Sequence, residues 1–125
     1  SLLVRWQVQL FDTDVATHDR VTSLVQVVTH AVLASFASLR ANIREAGDIP
    51  EDLVDAFATP VFAELERVSQ GMVRENPALY HNIQTANPWG DETRAMLTRA
   101  VIDTLSVLSG PDAEGVQALF RRVRN

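Results

Sequence analysis

This 125-residue chain contains no cysteine and no lysine. Without cysteine there is no disulfide, no thiolate nucleophile and no sulfur-ligated zinc. Without lysine there is no Schiff-base chemistry and no lysine acid or base. All eleven basic residues are arginine, and sixteen aspartates and glutamates outweigh them, for a formal net charge of -5. No strongly basic field is present to meet phosphates, so nucleic acid is not an expected partner. Glycine is scarce as well. Gly47, Gly71, Gly90, Gly110 and Gly115 stand singly, which excludes a glycine-rich phosphate loop, and neither HExxH nor a serine-nucleophile motif occurs. The longest apolar run, Leu24 to Leu39, is shorter than the ~20 residues that span a bilayer and is broken by Gln26, His30 and serines. No basic region followed by a cleavage site opens the chain. The expectation is a soluble, cytoplasmic protein with no membrane partner.

What is present fits one folded domain: 46% hydrophobic and 22% charged residues, in a chain long enough to build a core. Residues 3–11 alternate, with Val4, Trp6, Val8 and Leu10 on one side and Arg5, Gln7 and Gln9 on the other, the period of a half-buried strand. Everything after them reads as helix, and a lone strand is not stable. Either these residues are not a strand, or they belong to a sheet that lies outside this domain. A long helix is predicted from Ala16 to about Ala46, with Asp14 or Thr17 as N-cap and Gly47 as its stop. A short acidic helix follows over residues 51–58. Thr59-Pro60, Asn76-Pro77 and Asn87-Pro88 each place a capping residue before a proline at the first helical position, which predicts helices near 60–75, 77–86 and 88–109. A final helix starts at Pro111. The fold class is all-α, with five to six helices.

Between His18 and Arg40 the long helix is apolar nearly all round. Such a helix is buried on more than one side, either as a central core helix or as one shared with another subunit. At 3.6 residues per turn, Gln26 and His30 share a face of it and can pair with each other. A histidine on an apolar face is by default a core residue bonded to a neighbour. A metal site built from His18, His30 and His81 is disfavoured, because His18 and His30 lie about 18 Å apart along one helix. Arg67 and Arg74 flank Gly71 at minus four and plus three, so both project from one face. Two arginines so placed can clamp a carboxylate; the plainer reading pairs them with Glu64, Glu66 or Glu75. Tyr80 and Trp89 read as packing residues.

Taken together, His18-Asp19-Arg20, Val25-Gln26 and His30 resemble a pattern in the C-terminal helical domain of prephenate dehydrogenases. Upstream, Trp6 and Leu10-Phe11 resemble the end of the nucleotide-binding domain in that family. Downstream, Thr59-Pro60-Val61-Phe62 and then Glu75-Asn76-Pro77-Ala78-Leu79-Tyr80 with Ile83 resemble two further elements, so the likeness spans nearly the whole chain. The resemblance implies a helical dimerisation and substrate-pocket domain over residues 14–125, preceded in residues 1–13 by the tail of a missing or separate Rossmann domain. It implies a homodimer formed through helix 16–46 and a prephenate-like dianionic ligand. NAD or NADP would be bound by the parent enzyme and no cofactor by this chain. Substrate-binding roles fall to Gln26, His30, Arg67 and Arg74; no residue of the chain is assigned as catalytic or metal-binding. Two departures stand out. Gln7 replaces the glycine that follows the tryptophan in the family. Gly71 stands where the family carries an arginine for the substrate carboxylate, which leaves Arg67 or Arg74 to substitute, or implies an amino analogue of prephenate, or implies lost activity. The rival readings are a standalone, non-catalytic interaction or regulatory module and a helical chorismate-mutase-like enzyme. The latter usually employs a lysine beside its arginines, and none is available here.

Overall fold

The computed structural model describes residues 14–125. The strand read over residues 3–11, and the assignment of residues 1–13 to another domain, lie outside the described residues. Within them the chain is all-α, six helices with no strand. Helix α1 runs from Val15 to Ala46 and contains a π-helical stretch, Ser23–Val28. It is followed by α2 (Glu51–Phe57), α3 (Pro60–Val73), α4 (Pro77–Ala86), α5 (Gly90–Leu108) and α6 (Glu114–Val123).

The caps explain the boundaries. The carboxylate of Asp14 accepts the backbone N–H of Thr17 at 2.7 Å, which starts α1 and holds that carboxyl below its ordinary pKa. Gly47, at φ 72°, ends α1 in the left-handed conformation that glycine adopts without a Cβ penalty. Thr59 and Asn76 accept the N–H groups of Phe62 and Ala78, each ahead of a proline at the helix start. The third proline behaves differently. Pro88 and Trp89 form a turn and α5 begins only at Gly90, with Asp91 and Glu92 in its first turn. Asn87 is not an N-cap. Its amide reaches back to α1 and donates to the Asp19 carbonyl at 2.9 Å and the Thr22 hydroxyl at 3.2 Å, while its side-chain oxygen accepts from Trp89 N–H. The last helix likewise starts at Glu114 rather than at Pro111.

The C-terminal half of α1 packs along α3, and its π turn packs against α5, with α4 alongside; α6 closes on α5. Phe36 of α1 meets Phe62 of α3 edge-on, with ring centroids 6.0 Å apart. Beneath them lies Arg40, only 6% exposed, bonded to Glu66 of α3 and, at 2.9 Å, to Glu51 of α2. The two carboxylates hold the guanidinium pKa above its ordinary value, and Arg40 in turn lowers that of Glu51.

Among the described residues Val27 is the one fully buried large apolar side chain, whereas Val61 is 79% exposed, Leu24 65% and Ile102 61%. The chain exposes 9954 Å² in all. A folded monomer of its 13.8 kDa mass exposes about 6,600 Å² by the usual scaling. Within the described residues of one chain, α1 is therefore mostly exposed rather than a central core helix. By length and composition alone this helix is also long and apolar enough to cross a membrane.

Candidate functional site

The residues singled out from the sequence fall in two places. His30 lies on α1, half-buried, edge-on to Tyr80 of α4 with ring centroids 4.7 Å apart and planes at 80°. Its Nδ1 is buried and has no hydrogen-bond partner among the described residues. Gln26 does not supply one. It is exposed, whereas Val27, one turn on from the buried Ser23, is fully shielded. A π turn with i→i+5 bonding, Ser23–Val28, runs through this part of α1. The pairing of Gln26 with His30 expected from a 3.6-residue period is thus corrected.

Arg67 and Arg74 do share a groove, as their spacing around Gly71 requires. The groove has a volume of about 650 Å³ and is lined by Asp55, Ala58, Phe62, Ala63, Glu66, Arg67, Gln70, Gly71 and Arg74. A Cβ placed on Gly71 would meet nothing within 4 Å, so packing does not demand a glycine there and the groove floor is simply left open. Arg67 is bonded to Glu64, with its Nε 3.0 Å from Oε2, on an exposed part of α3. That bond raises the arginine's pKa and lowers the glutamate's. The plainer reading, surface pairing with Glu64, therefore holds for Arg67, although the side chain still borders the groove. Arg74, at the C-terminal end of α3, makes no ion pair among the described residues. His30 and Gln26 do not line this groove.

At the start of α1, His18 and Asp19 lie 3.5 Å apart, and the guanidinium of Arg20 sits 4.2 Å from the centre of the Trp89 ring. Among the described residues no cluster of three or more histidines, aspartates or glutamates is arranged to hold a metal ion.

Sequence reasoning missed two features. One is the buried Arg40, whose signal was an arginine on the same stripe of α1 as Leu33. The other is the hydrogen bond from Gln84 to the Val27 carbonyl, for which the sequence carries no local signal. A comparison with known families matches residues 14–121 to the family described as "Prephenate dehydrogenase, dimerization domain". The chain belongs to that family. Among relatives of this prephenate dehydrogenase domain is a probable arogenate/prephenate dehydrogenase of Methanocaldococcus jannaschii, 30% identical over 105 residues, which cover 83% of this chain and 22% of that protein. Another is the 4-amino-4-deoxyprephenate dehydrogenase of Streptomyces pristinaespiralis, 27% identical over 130 residues, covering 99% of this chain and 40% of that protein. The chain thus spans well under half the length of either relative. No solved structure matches it.

Proposed function

We propose that this chain is the homodimerisation and substrate-binding domain of a cytoplasmic prephenate dehydrogenase-like oxidoreductase, which oxidatively decarboxylates prephenate or an amino analogue of it. Residues 1–13 are read as the tail of a Rossmann domain that supplies the NAD or NADP site. No residue of this chain is assigned to hold that cofactor, which would accept the hydride when bound. The domain's own part is to pair two subunits and to bind and orient a dianionic cyclohexadienyl substrate, work that lowers the barrier through positioning and electrostatics.

The observation that carries this reading is the unburied apolar surface of a chain whose sequence matches a dimerisation domain over residues 14–121. Even if residues 1–13 are credited with the whole surface of an unfolded peptide, about 1,600 Å² remains beyond a monomer's share. Obligate homodimers bury roughly 1,000–2,500 Å² on each partner, so a second copy is of the right size to cover it. That is also why α1 is assigned to a subunit interface and not to a membrane.

For the substrate, Arg67 and Arg74 border an open groove that can take a carboxylate; His30 lies apart from that groove, and its unpartnered Nδ1 is assigned to the substrate through the family resemblance. Gln26, which faces outward, is kept as a substrate contact only through the family resemblance. The open floor at Gly71, with a 4-amino-4-deoxyprephenate dehydrogenase among the relatives, favours the amino analogue as the second candidate substrate. Light scattering on the purified chain, followed by calorimetric titration with prephenate and then with its 4-amino analogue, tests the proposal. A dimer that binds one of them is the expected result. A monomer that binds neither overturns the reading, as does cofactor reduction by this chain alone.

A further inference from the structure

A π turn is rare, and such turns gather at functional sites. Gln84 of α4 donates its side-chain N–H to the carbonyl of Val27 within the π turn, at 2.9 Å. Its own orientation is fixed in turn. One guanidinium nitrogen of Arg94 donates both to the Gln84 side-chain oxygen and to the Gln84 backbone carbonyl, each at 2.9 Å. The other pairs with Asp91. Gly90 is what permits this approach, because a Cβ there would lie 2.5 Å from the Gln84 carbonyl oxygen and 3.2 Å from the Arg94 guanidinium.

One turn back along α4 from Gln84 is Tyr80, and one turn on along α1 from Val27 is His30, the two rings edge-on to each other. Helix α4 therefore grips α1 at two successive turns, first by a hydrogen bond to the displaced backbone and then by an aromatic edge against the imidazole.

We propose that Gln84, held by Arg94, is a positioning residue: by keeping the π turn it sets the rotation of His30 against Tyr80 and leaves Nδ1 for a hydrogen-bonding group of the substrate. The last clause rests on the assignment of His30 to the substrate pocket; the rotation of His30 does not.

The test uses the whole chain with Gln84→Met, which keeps the length and removes the donor, and with Gly90→Ala, which disturbs the same contact from the other side. Imidazole ¹⁵N spectra, with His30 assigned through His30→Gln, are expected to show the His30 ring signals moved by several ppm in both variants. The signals of His18 and the helix content by circular dichroism stay as they were. In calorimetric titration with prephenate, Gln84→Met and His30→Gln each weaken binding about tenfold, and the double variant is no weaker than either. Unmoved His30 signals in both variants overturn the proposal, even if thermal stability falls, because Gln84 would then be a packing residue only. Additive losses in the double variant overturn it too. If His30→Gln leaves prephenate binding unchanged, the pocket assignment of His30 fails, while the spectra still decide whether Gln84 positions the ring.

Discussion

Replacing Arg40 by methionine should lower the melting temperature by about 8–11 °C. The guanidinium is the junction of three helices: it is 6% exposed, it bonds Glu66 of α3 and Glu51 of α2, and it lies against Phe62 with its central carbon 5.7 Å from the ring centre. Methionine fills most of the volume and offers the glutamates nothing. Removing one partner of a buried ion pair usually costs about 3–5 kcal/mol. Here the glutamate side chains are 41% and 26% exposed, so water recovers part of the loss and ~2–3 kcal/mol is the reasoned figure. With an unfolding entropy of ~2.1 cal/mol/K per residue, a chain of this length shifts by roughly 4 °C for each kcal/mol. Circular dichroism melts at neutral pH and one fixed protein concentration measure it. Arg40→Met combined with Glu66→Leu should regain much of the loss, because an apolar pair replaces a stranded charge. A single variant that melts within ~3 °C of the parent, or a double variant no better than the single, would refute the description of this junction as a buried, coupled hub.

Two further predictions rest on local geometry. Gly71→Ala should stabilise the chain by about 0.5–1 kcal/mol, since the new methyl meets nothing and the site is helical, whereas Gly47→Ala should destabilise it because the backbone there is at φ 72°; paired thermal melts decide both. The hydrogen bond from Arg40 depresses the Glu51 pKa in the folded chain. Its contribution is therefore complete above the unfolded value of about 4.3 and is lost as pH falls through the lower folded value. Stability measured by urea titration should drop less steeply below about pH 5 in Glu51→Gln than in the parent, and identical slopes would remove Glu51 from the acid response.

The helical framework was legible because its signals are local. Thr59, Asn76 and Gly47 act where they stand, each through a bond or a dihedral within a few residues of itself. Asn87 shows the limit. It has the same residue type and the same following proline as Asn76, yet its amide serves α1, 65 and 68 residues away in sequence. The site was less legible for the same reason. Arg67 and Arg74 could be placed on one groove by spacing within a single helix. The relation of Gln26 to His30 assumed a regular helix with both side chains facing inward, whereas a π turn runs through Ser23–Val28 and Gln26 is exposed. Nothing in residues 18–40 announces that Gln84 will claim the Val27 carbonyl. The apolarity of α1 was plain in the sequence, but which surface would cover it was not, because a residue pattern records the need for burial and not the occupant.

With Val27 the one large apolar side chain fully shielded among the described residues, dilution should act on this chain as a denaturant. A chain that needs another molecule to finish its interior has no single melting temperature; it has a line of them that climbs with the logarithm of concentration. In the proposed dimer the last refolding step is an encounter between molecules, so halving the amount of protein doubles the wait. The exposed faces assigned to that dimer are, until a copy arrives, open to any other apolar surface nearby.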